Sequence, residues 1–320
     1  MTYKPEFEID DEMLMLVSDI SVLIDRIPEG NVPHRDLRLR QSSRIRSIQS
    51  SLAIEGNTLS LEEVTDVIEG KRVLGNPREI MEVKSAVKAY DMIDGLDPYS
   101  AEDVLRAHAE MMDGLVDSPG EFRDCDIGVY KGPVPIHIAP HPEDVPMLMD
   151  DLINWAKDSD IHPLIKGCIF HCRFEYIHPF VDGNGRMGRL WHMLILSRWK
   201  HLFAYIPIET CIRLNKKEYY AALAESDKDD ISVFIKFMLR MAFAAVDEYA
   251  DIVSVRFGRS HDTEAVILDM ISTDPNLTSA KMAIMLGVSD RTVKRYLSLM
   301  TKKGLIKREG SDKTGQWKIL

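Results

Sequence analysis

Cysteine is scarce in this chain of 320 residues, which has only four. Only Cys168 and Cys172 lie close together, so the spacing excludes a disulfide framework and indicates a reducing compartment. Long apolar runs are also missing, because the stretch from Met241 to Val246 is far shorter than the roughly 18 residues that a membrane helix needs. The acidic start, MTYKPEFEIDDEM, lacks the basic and apolar regions of a signal peptide. We therefore expect a globular, cytoplasmic protein.

Basic residues are outnumbered by acidic residues, and the formal net charge is -11. This argues against indiscriminate binding of nucleic acid by the whole chain. The excess of acidic residues is uneven, because residues 281–320 carry ten lysines and arginines against three acidic residues. The basic C-terminal segment is therefore expected to form a separate unit.

Apolar residues recur at three- and four-residue spacing through most of the chain, which is typical of amphipathic helices. The segments with this pattern are 9–27, 36–54, 61–69, 84–93, 101–112, 143–157, 164–177, 185–199, 215–225 and 231–255. Residues 119–140, PGEFRDCDIGVYKGPVPIHIAP, instead combine Pro and Gly with short alternating apolar residues, which predicts a small hairpin or an extended flap. The predicted fold class is mainly α, with a small β-hairpin flap.

The stretch HPFVDGNGRMGR, residues 178–189, carries an unusual set of chemical groups. Gly183 and Gly185 let the backbone approach a ligand, and a helix that starts near Gly185 turns its positive end toward the loop. Arg186 and Arg189 lie three residues apart on that helix and can donate hydrogen bonds to phosphate oxygens.

Two further groups in this stretch supply chemistry. The Asp182 carboxylate is a hard oxygen ligand that suits magnesium. His178 has an ordinary pKa near neutrality and suits a general base that takes a proton from an attacking hydroxyl. Together these groups indicate magnesium-assisted transfer from a nucleotide.

Two familiar glycine-rich motifs do not fit the stretch. Gly183, Gly185 and Gly188 have the spacing of a dinucleotide-binding fingerprint, but the segment before them has helical periodicity and that fingerprint needs a strand there. A calcium loop is excluded because its twelfth position would be Met193, where that loop needs glutamate.

The stretch matches every fixed position of H-P-F-x-[DE]-G-N-G-R-x-x-R, and the chain thus resembles the Fic (filamentation induced by cyclic AMP) family. The resemblance implies transfer of AMP from ATP to a Ser, Thr or Tyr hydroxyl of a target protein. It implies that His178 is the base, that Asp182 binds Mg²⁺ and that Phe180 anchors the loop. The other motif residues would contact the nucleotide: Gly183 and Gly185 through their backbone, Asn184 and Arg186 at the α- and β-phosphates, and Arg189 at the γ-phosphate. Residues 128–140 resemble the flap at which the target protein docks by strand addition.

A second motif, SLAIEG at residues 51–56, resembles the inhibitory motif [ST]-x-x-x-E-[GN] of one class of Fic proteins. Ser51 and Glu55 lie one helical turn apart, so the glutamate can enter the nucleotide pocket and pair with Arg189. Breaking such a buried pair costs about 3 kcal/mol, which leaves about one per cent of the molecules open. We expect a largely self-inhibited enzyme, with inhibition within one chain or across a homodimer.

The C-terminal segment 278–306 resembles a winged helix-turn-helix, a module of many bacterial regulators. A turn at Gly287 and a helix capped by Ser289 would be followed by a two-stranded wing. DNA would be contacted by four residues on or beside the exposed face of the recognition helix: Arg291, Thr292, Lys294 and Arg295. A protein-protein or dimerisation role for this module stays open.

The predicted organisation is an N-terminal helical region with the inhibitory helix at 1–95, a Fic catalytic core at 96–257 and a winged helix-turn-helix at 262–320. Three other functions remain open at this point. Glu55 could instead direct water onto an AMP-modified protein, the chain could be a nucleotide-sensing DNA-binding regulator, or the donor could be another phosphate-linked compound.

Overall fold

Helices account for most of the chain, which confirms the predicted mainly α class. The computed structural model describes residues 5, 7–27, 37–131, 134–226, 230–257, 260–286, 289–310 and 315–320. The chain divides into two units, Met1–Asp247 and Glu248–Leu320. The finer boundary proposed at residue 95 stays a prediction.

The first unit is built from helices joined by short turns. The α-helices up to the end of this unit are α1 Asp11–Arg26, α2 Leu37–Ile54, α3 Leu61–Ile68, α4 Pro77–Asp91, α5 Ala101–Met111, α6 Val145–Asp158, α7 Pro163–Ile177, α8 Asn184–Trp199, α9 Ile208–Leu214, α10 Lys216–Ser226 and α11 Ser232–Phe257, the last of which continues into the second unit. Short 3-10 helices occupy Ile93–Gly95, Pro142–Asp144 and His201–Tyr205. Within the described ranges, none of the helices combines the length and the apolarity needed to cross a membrane.

Local signals in the sequence set several helix ends. Ser60 and Glu63 form the expected capping box at the start of α3, and Gly56 follows α2 with φ 100°. The predicted start of α4 at residue 84 is wrong, because the helix begins at Pro77. The Asn76 side chain accepts a hydrogen bond from the Arg78 N–H. Proline is suited to the first helical position because the backbone N–H that it lacks would have no partner within the helix.

The central helix α8 is buried along most of its length, and the core forms around it. Trp191 is fully buried and donates its indole N–H to the Pro98 carbonyl at 2.9 Å. Ile45, Ile48 and Leu52 of α2 belong to the same hydrophobic core as α8. Helix α2 is therefore an integral part of this unit, and its C-terminal end is fixed close to the start of α8.

The predicted flap is a two-stranded antiparallel hairpin. Strand β1, Gly128–Lys131, pairs with β2, Val134–Ile138, and the register shifts between Val129 and Tyr130. The two residues at the tip, 132 and 133, lie outside the described residues. The hairpin confirms the expectation from the alternating segment.

The second unit has the elements of a winged helix. They are α12 Ser260–Thr273, α13 Ser279–Leu286, α14 Asp290–Lys302, β3 Ile306–Glu309 and β4 Gln316–Ile319. The two strands pair antiparallel as the predicted wing, and Ser289 caps α14 by accepting a hydrogen bond from the Thr292 N–H. The turn predicted at Gly287 lies outside the described residues. The winged-helix prediction is confirmed.

The capping box provides a test of local stability. Replacing Ser60→Ala removes an acceptor for the Glu63 N–H and should lower the free energy of unfolding by about 1 kcal/mol, whereas Ser60→Gly should cost only a few tenths. Urea unfolding of the two variants measures the difference. An unchanged free energy of unfolding in Ser60→Ala would show that the Ser60 hydroxyl does not stabilise α3.

Candidate active site

His178 lies where α7 ends, in a strained backbone conformation. Its φ of 50° is the one positive value among the described non-glycine residues, and such strain persists only when neighbouring groups enforce it. Buried Arg123 supplies that constraint, because its Nε donates to the His178 carbonyl at 2.8 Å and its backbone N–H donates to the Pro179 carbonyl at 2.9 Å. The same guanidinium donates to the carbonyls of Cys125 and Pro140, which flank the hairpin.

The His178 ring is oriented by its own helix. Nδ1 lies 3.3 Å from the carbonyl oxygen of Glu175, where it can only donate a hydrogen bond. That contact fixes the tautomer in which Nε2 carries the lone pair. Nε2 is therefore the nitrogen that can accept a proton.

The loop between α7 and α8 is held by side chains from within the motif. Phe180 is fully buried, and its backbone N–H and carbonyl both bond the Asn184 side chain, at 2.9 and 2.8 Å. Gly183 has φ 89°, and a side chain there would collide with Met112. The Asn184 side chain is thus occupied in shaping the loop, which leaves its backbone N–H at the start of α8 for a ligand.

His108 on α5 packs against the loop, although no role was predicted for it from the sequence. Its ring stacks on Phe180 with 3.6 Å between ring centroids and 2° between the planes. Nδ1 accepts a hydrogen bond from the Gly120 N–H, so Nε2 must donate to the Asp182 carbonyl at 3.0 Å. Burial, together with the positive charge of Arg186, lowers the pKa of His108 to about 4, so the ring is neutral at pH 7.

Several charged side chains lie close together at the start of α8. Arg186 is 4% exposed and donates from Nη2 to Asp182 Oδ1 at 2.9 Å, while its Nη1 lies 4.0 Å from Glu82 of α4. Arg78 of α4 lies 3.3 Å from the other Asp182 oxygen. Arg78 and Glu82 were not among the predicted site residues, although Asn76 and Pro77 signal that a helix begins beside them.

Arg189 lies one turn further along α8 and contacts both fixed polar positions of the SLAIEG motif. Its Nη2 donates to Glu55 Oε1 at 2.8 Å and to the Ser51 carbonyl at 3.0 Å, and its Nε donates to the Ser51 hydroxyl at 3.0 Å. Arg189 is 1% exposed, whereas the Glu55 side chain is 35% exposed. The structure thus brings together the two motifs that the sequence separates by more than a hundred residues.

The Glu55 carboxylate also covers the first turn of α8. A Cβ added to Gly185 would collide with Glu55 Oε1, and no side chain caps this end of the helix within the described residues. Burial alone would lower the pKa of Arg189, but Glu55 above all raises it beyond its ordinary value. An internal carboxylate therefore occupies an arginine and a helix terminus that are both suited to an anion.

The Asp182 carboxylate is suited to bind Mg²⁺. Asp182 is partly exposed at the loop, and the described part of the chain contains no group of three or more His, Cys, Asp or Glu side chains able to hold a metal. A site with one protein carboxylate suits Mg²⁺, which usually takes its other ligands from phosphates and water. Arg78 and Arg186 now supply the positive charge beside this carboxylate.

The four candidate DNA-contacting residues differ in their surroundings. The expectation that Thr292 lies at the exposed face is wrong, because it is 2% exposed and its hydroxyl bonds Asp251 within the second unit. Arg295 donates to the Asp251 carbonyl at 3.0 Å. Arg291 and Lys294 are exposed, and Lys294 pairs with Asp290 on its own helix.

The first unit is mainly helical and places two buried arginines at the glycine-rich start of α8. Comparison with known proteins identifies the family. Residues 98–196 match the Fic/DOC family, and residues 261–307 match a winged helix-turn-helix DNA-binding family. The solved structure of a Fic family protein from Desulfovibrio desulfuricans G20 is 40% identical, with a TM-score of 0.73, over 99% of this chain and 98% of that one. The chain belongs to the Fic family.

More distant relatives cover only part of the chain. The protein adenylyltransferase Fic of Nematostella vectensis is 28% identical over 76% of this chain, which spans 56% of that relative. The corresponding protein of Drosophila grimshawi is 27% identical, and the chain spans 50% of its length. The structure of Fic-1 from C. elegans, at 24% identity and a TM-score of 0.63 over 77% of this chain, shares the fold.

The low pKa of His108 predicts a pH-dependent stability. Between pH 6.5 and about 4 the unfolded chain binds a proton at this ring and the folded chain does not, so stability falls as the pH is lowered. His108→Gln should therefore reduce the slope of unfolding free energy against pH by up to about 1.4 kcal/mol per pH unit in this window. Urea unfolding at several pH values measures the slope, and His141→Gln, at an exposed histidine, is the matched control. An unchanged slope in His108→Gln would mean that the folded ring is protonated normally.

Proposed function

We propose that the chain is a protein adenylyltransferase that transfers AMP from ATP to a Ser, Thr or Tyr hydroxyl of a target protein docked at the hairpin flap. In this proposal Glu55 inhibits the reaction by holding Arg189. Supporting it are the complete 178–189 motif, the family membership and the name protein adenylyltransferase that several relatives carry. The single observation that carries the inhibitory part is the 2.8 Å contact between Glu55 and Arg189.

The nucleotide would bind with its phosphates at the start of α8. The first-turn N–H groups, Arg186 and Arg189 offer hydrogen bonds and positive charge to a triphosphate. Two observations favour such a ligand, since Arg186 Nε and Arg189 Nη1 are buried donors without a hydrogen-bond partner among the described residues. Buried donors of this kind are costly unless a ligand or water satisfies them.

His178 would act as the general base. Its Nε2 would take the proton of the target hydroxyl as that oxygen attacks the α-phosphorus and pyrophosphate leaves. The strained backbone and the Nδ1 contact keep this ring in one orientation, so little reorganisation is needed. Arg123 links the backbone of His178 to residues that flank the flap. The general base and the docked target segment would therefore be held at a fixed distance from each other.

Charge stabilisation would come from fixed groups. The α8 terminus, Arg186 and Arg189 would offset negative charge on the transferring phosphate group and on the leaving pyrophosphate. Asp182 would hold Mg²⁺, and the ion when bound would neutralise phosphate charge. With Glu55 in place, Arg189 is unavailable and the γ-phosphate has no partner there.

Labelling with ATP that carries the label on its α-phosphate tests this proposal. The Arg189 side of the pair is buried and the Glu55 side is partly exposed, so opening should cost about 1 to 3 kcal/mol. Glu55→Gly should therefore increase labelling of itself and of lysate proteins about 5- to 150-fold. Glu55→Gly/His178→Ala should be labelled at least about a hundredfold less than Glu55→Gly.

The outcomes separate the parts of this proposal. Label on Glu55→Gly that survives in the double variant would remove His178 as the base. Equal labelling by wild type and Glu55→Gly would contradict inhibition by Glu55. If folded variants that bind ATP show no label at all, adenylylation is wrong.

We further propose that the second unit binds DNA, which is favoured by its match to a winged helix-turn-helix DNA-binding family and by exposed Arg291 and Lys294 on α14. Arg291→Ala should weaken duplex binding in a mobility-shift assay. It should also reduce the slope of the logarithm of the binding constant against the logarithm of the salt concentration by about one. Lys157→Ala, an exposed lysine of the first unit, is the matched control. Absence of duplex binding at low salt would instead indicate a protein-binding module.

A further inference from the structure

The turn that carries Glu55 is held by α4 as well as by Arg189. Asn57, two residues after Glu55, is 8% exposed and donates from Nδ2 to Glu82 Oε2 at 2.8 Å and to the Glu79 carbonyl at 3.1 Å. Next to it, the Thr58 N–H donates to the Glu79 carboxylate at 2.8 Å. The start of α4 therefore fixes the path of the chain directly after the inhibitory residue.

The same Glu82 carboxylate faces the nucleotide loop. Its other oxygen, Oε1, lies 4.0 Å from Arg186 Nη1 and 3.8 Å from Arg78 Nε, and Arg78 in turn contacts Asp182. The Glu82 and Arg186 side chains are only 16% and 5% exposed, so the contact between them is poorly screened by water. One oxygen thus binds the inhibitory turn, and the other lies beside the arginine that is proposed to bind phosphate.

We propose that Glu82 is a positioning residue that keeps Glu55 on Arg189 by holding Asn57. The inference rests on the proposed function. Glu55 follows the last residue of α2, and Gly56 beside it has φ 100°. The regular helix therefore ends here in a turn, in which the Gly56 N–H donates to the Ala53 carbonyl and the Asn57 N–H donates to the Leu52 carbonyl. The side-chain contacts from α4 add to these backbone hydrogen bonds and fix the turn against a second helix.

Variants of the pair distinguish the hydrogen bond from the charge. Glu82→Ala removes both, whereas Glu82→Gln removes the charge beside Arg186 but keeps an oxygen that can accept from Asn57. With Glu55 intact, Glu82→Ala and Asn57→Ala should each raise α-phosphate labelling about tenfold over wild type, and the double variant should gain no more than either alone. Glu82→Gln should stay near wild type. Glu62→Ala, an exposed carboxylate on α3, is the matched control.

Amide hydrogen exchange of residues 52–60 gives a second readout that does not depend on catalysis. Exchange in this segment should be faster in Glu82→Ala and Asn57→Ala than in wild type, Glu82→Gln and Glu62→Ala. The inference is overturned if Glu82→Ala leaves both exchange and labelling unchanged, or if Glu82→Gln is as active as Glu82→Ala. If Glu55→Gly itself gives no label, the proposed function fails, and the exchange data alone still decide whether Glu82 holds the turn.

Discussion

The buried guanidinium of Arg189 is the constraint on which the rest of the site depends. A charge removed from water is costly unless an opposite charge and hydrogen bonds satisfy it. In this structure Glu55 supplies the opposite charge and Ser51 accepts further hydrogen bonds, while Nη1 has no hydrogen-bond partner among the described residues. A triphosphate would meet the same demand. Because α2 contributes Leu52 to the core around α8, the fold itself places the Glu55 carboxylate beside Arg189. In the proposed function, inhibition by Glu55 and binding of the γ-phosphate would therefore compete for one arginine.

Most side chains near the loop shape it, and few remain for a ligand. Asn184 bonds the Phe180 backbone, His108 supports both Phe180 and Asp182, and Arg123 fixes the carbonyl of His178. These contacts keep a positive φ and a tight turn in place. What faces a ligand is the start of α8 and its arginines, which suits a reaction that depends on positioning and electrostatics more than on covalent chemistry.

Many of the helices and part of the candidate site could be predicted from the sequence, because local sequence patterns determine local structure. Periodicity gave most helices, the Ser60 capping box was visible, and the SLAIEG spacing predicted the contact between Glu55 and Arg189. The contributions of His108, Glu82 and Arg123 could not be predicted, since they arise from packing between segments far apart in the chain. Thr292 shows the reverse error, because an apparently exposed helix position is covered by a neighbouring helix.

The most direct test of the central claim compares ATP and ADP affinities, since these nucleotides differ only in the γ-phosphate that Arg189 would bind. Isothermal titration in a His178→Ala background prevents turnover. With Glu55 present, the two nucleotides should bind with similar affinity. With Glu55→Gly added, ATP should bind at least about tenfold more tightly than ADP, because Arg189 regains a charged partner. An ATP-to-ADP ratio that is the same with and without Glu55 would contradict the account.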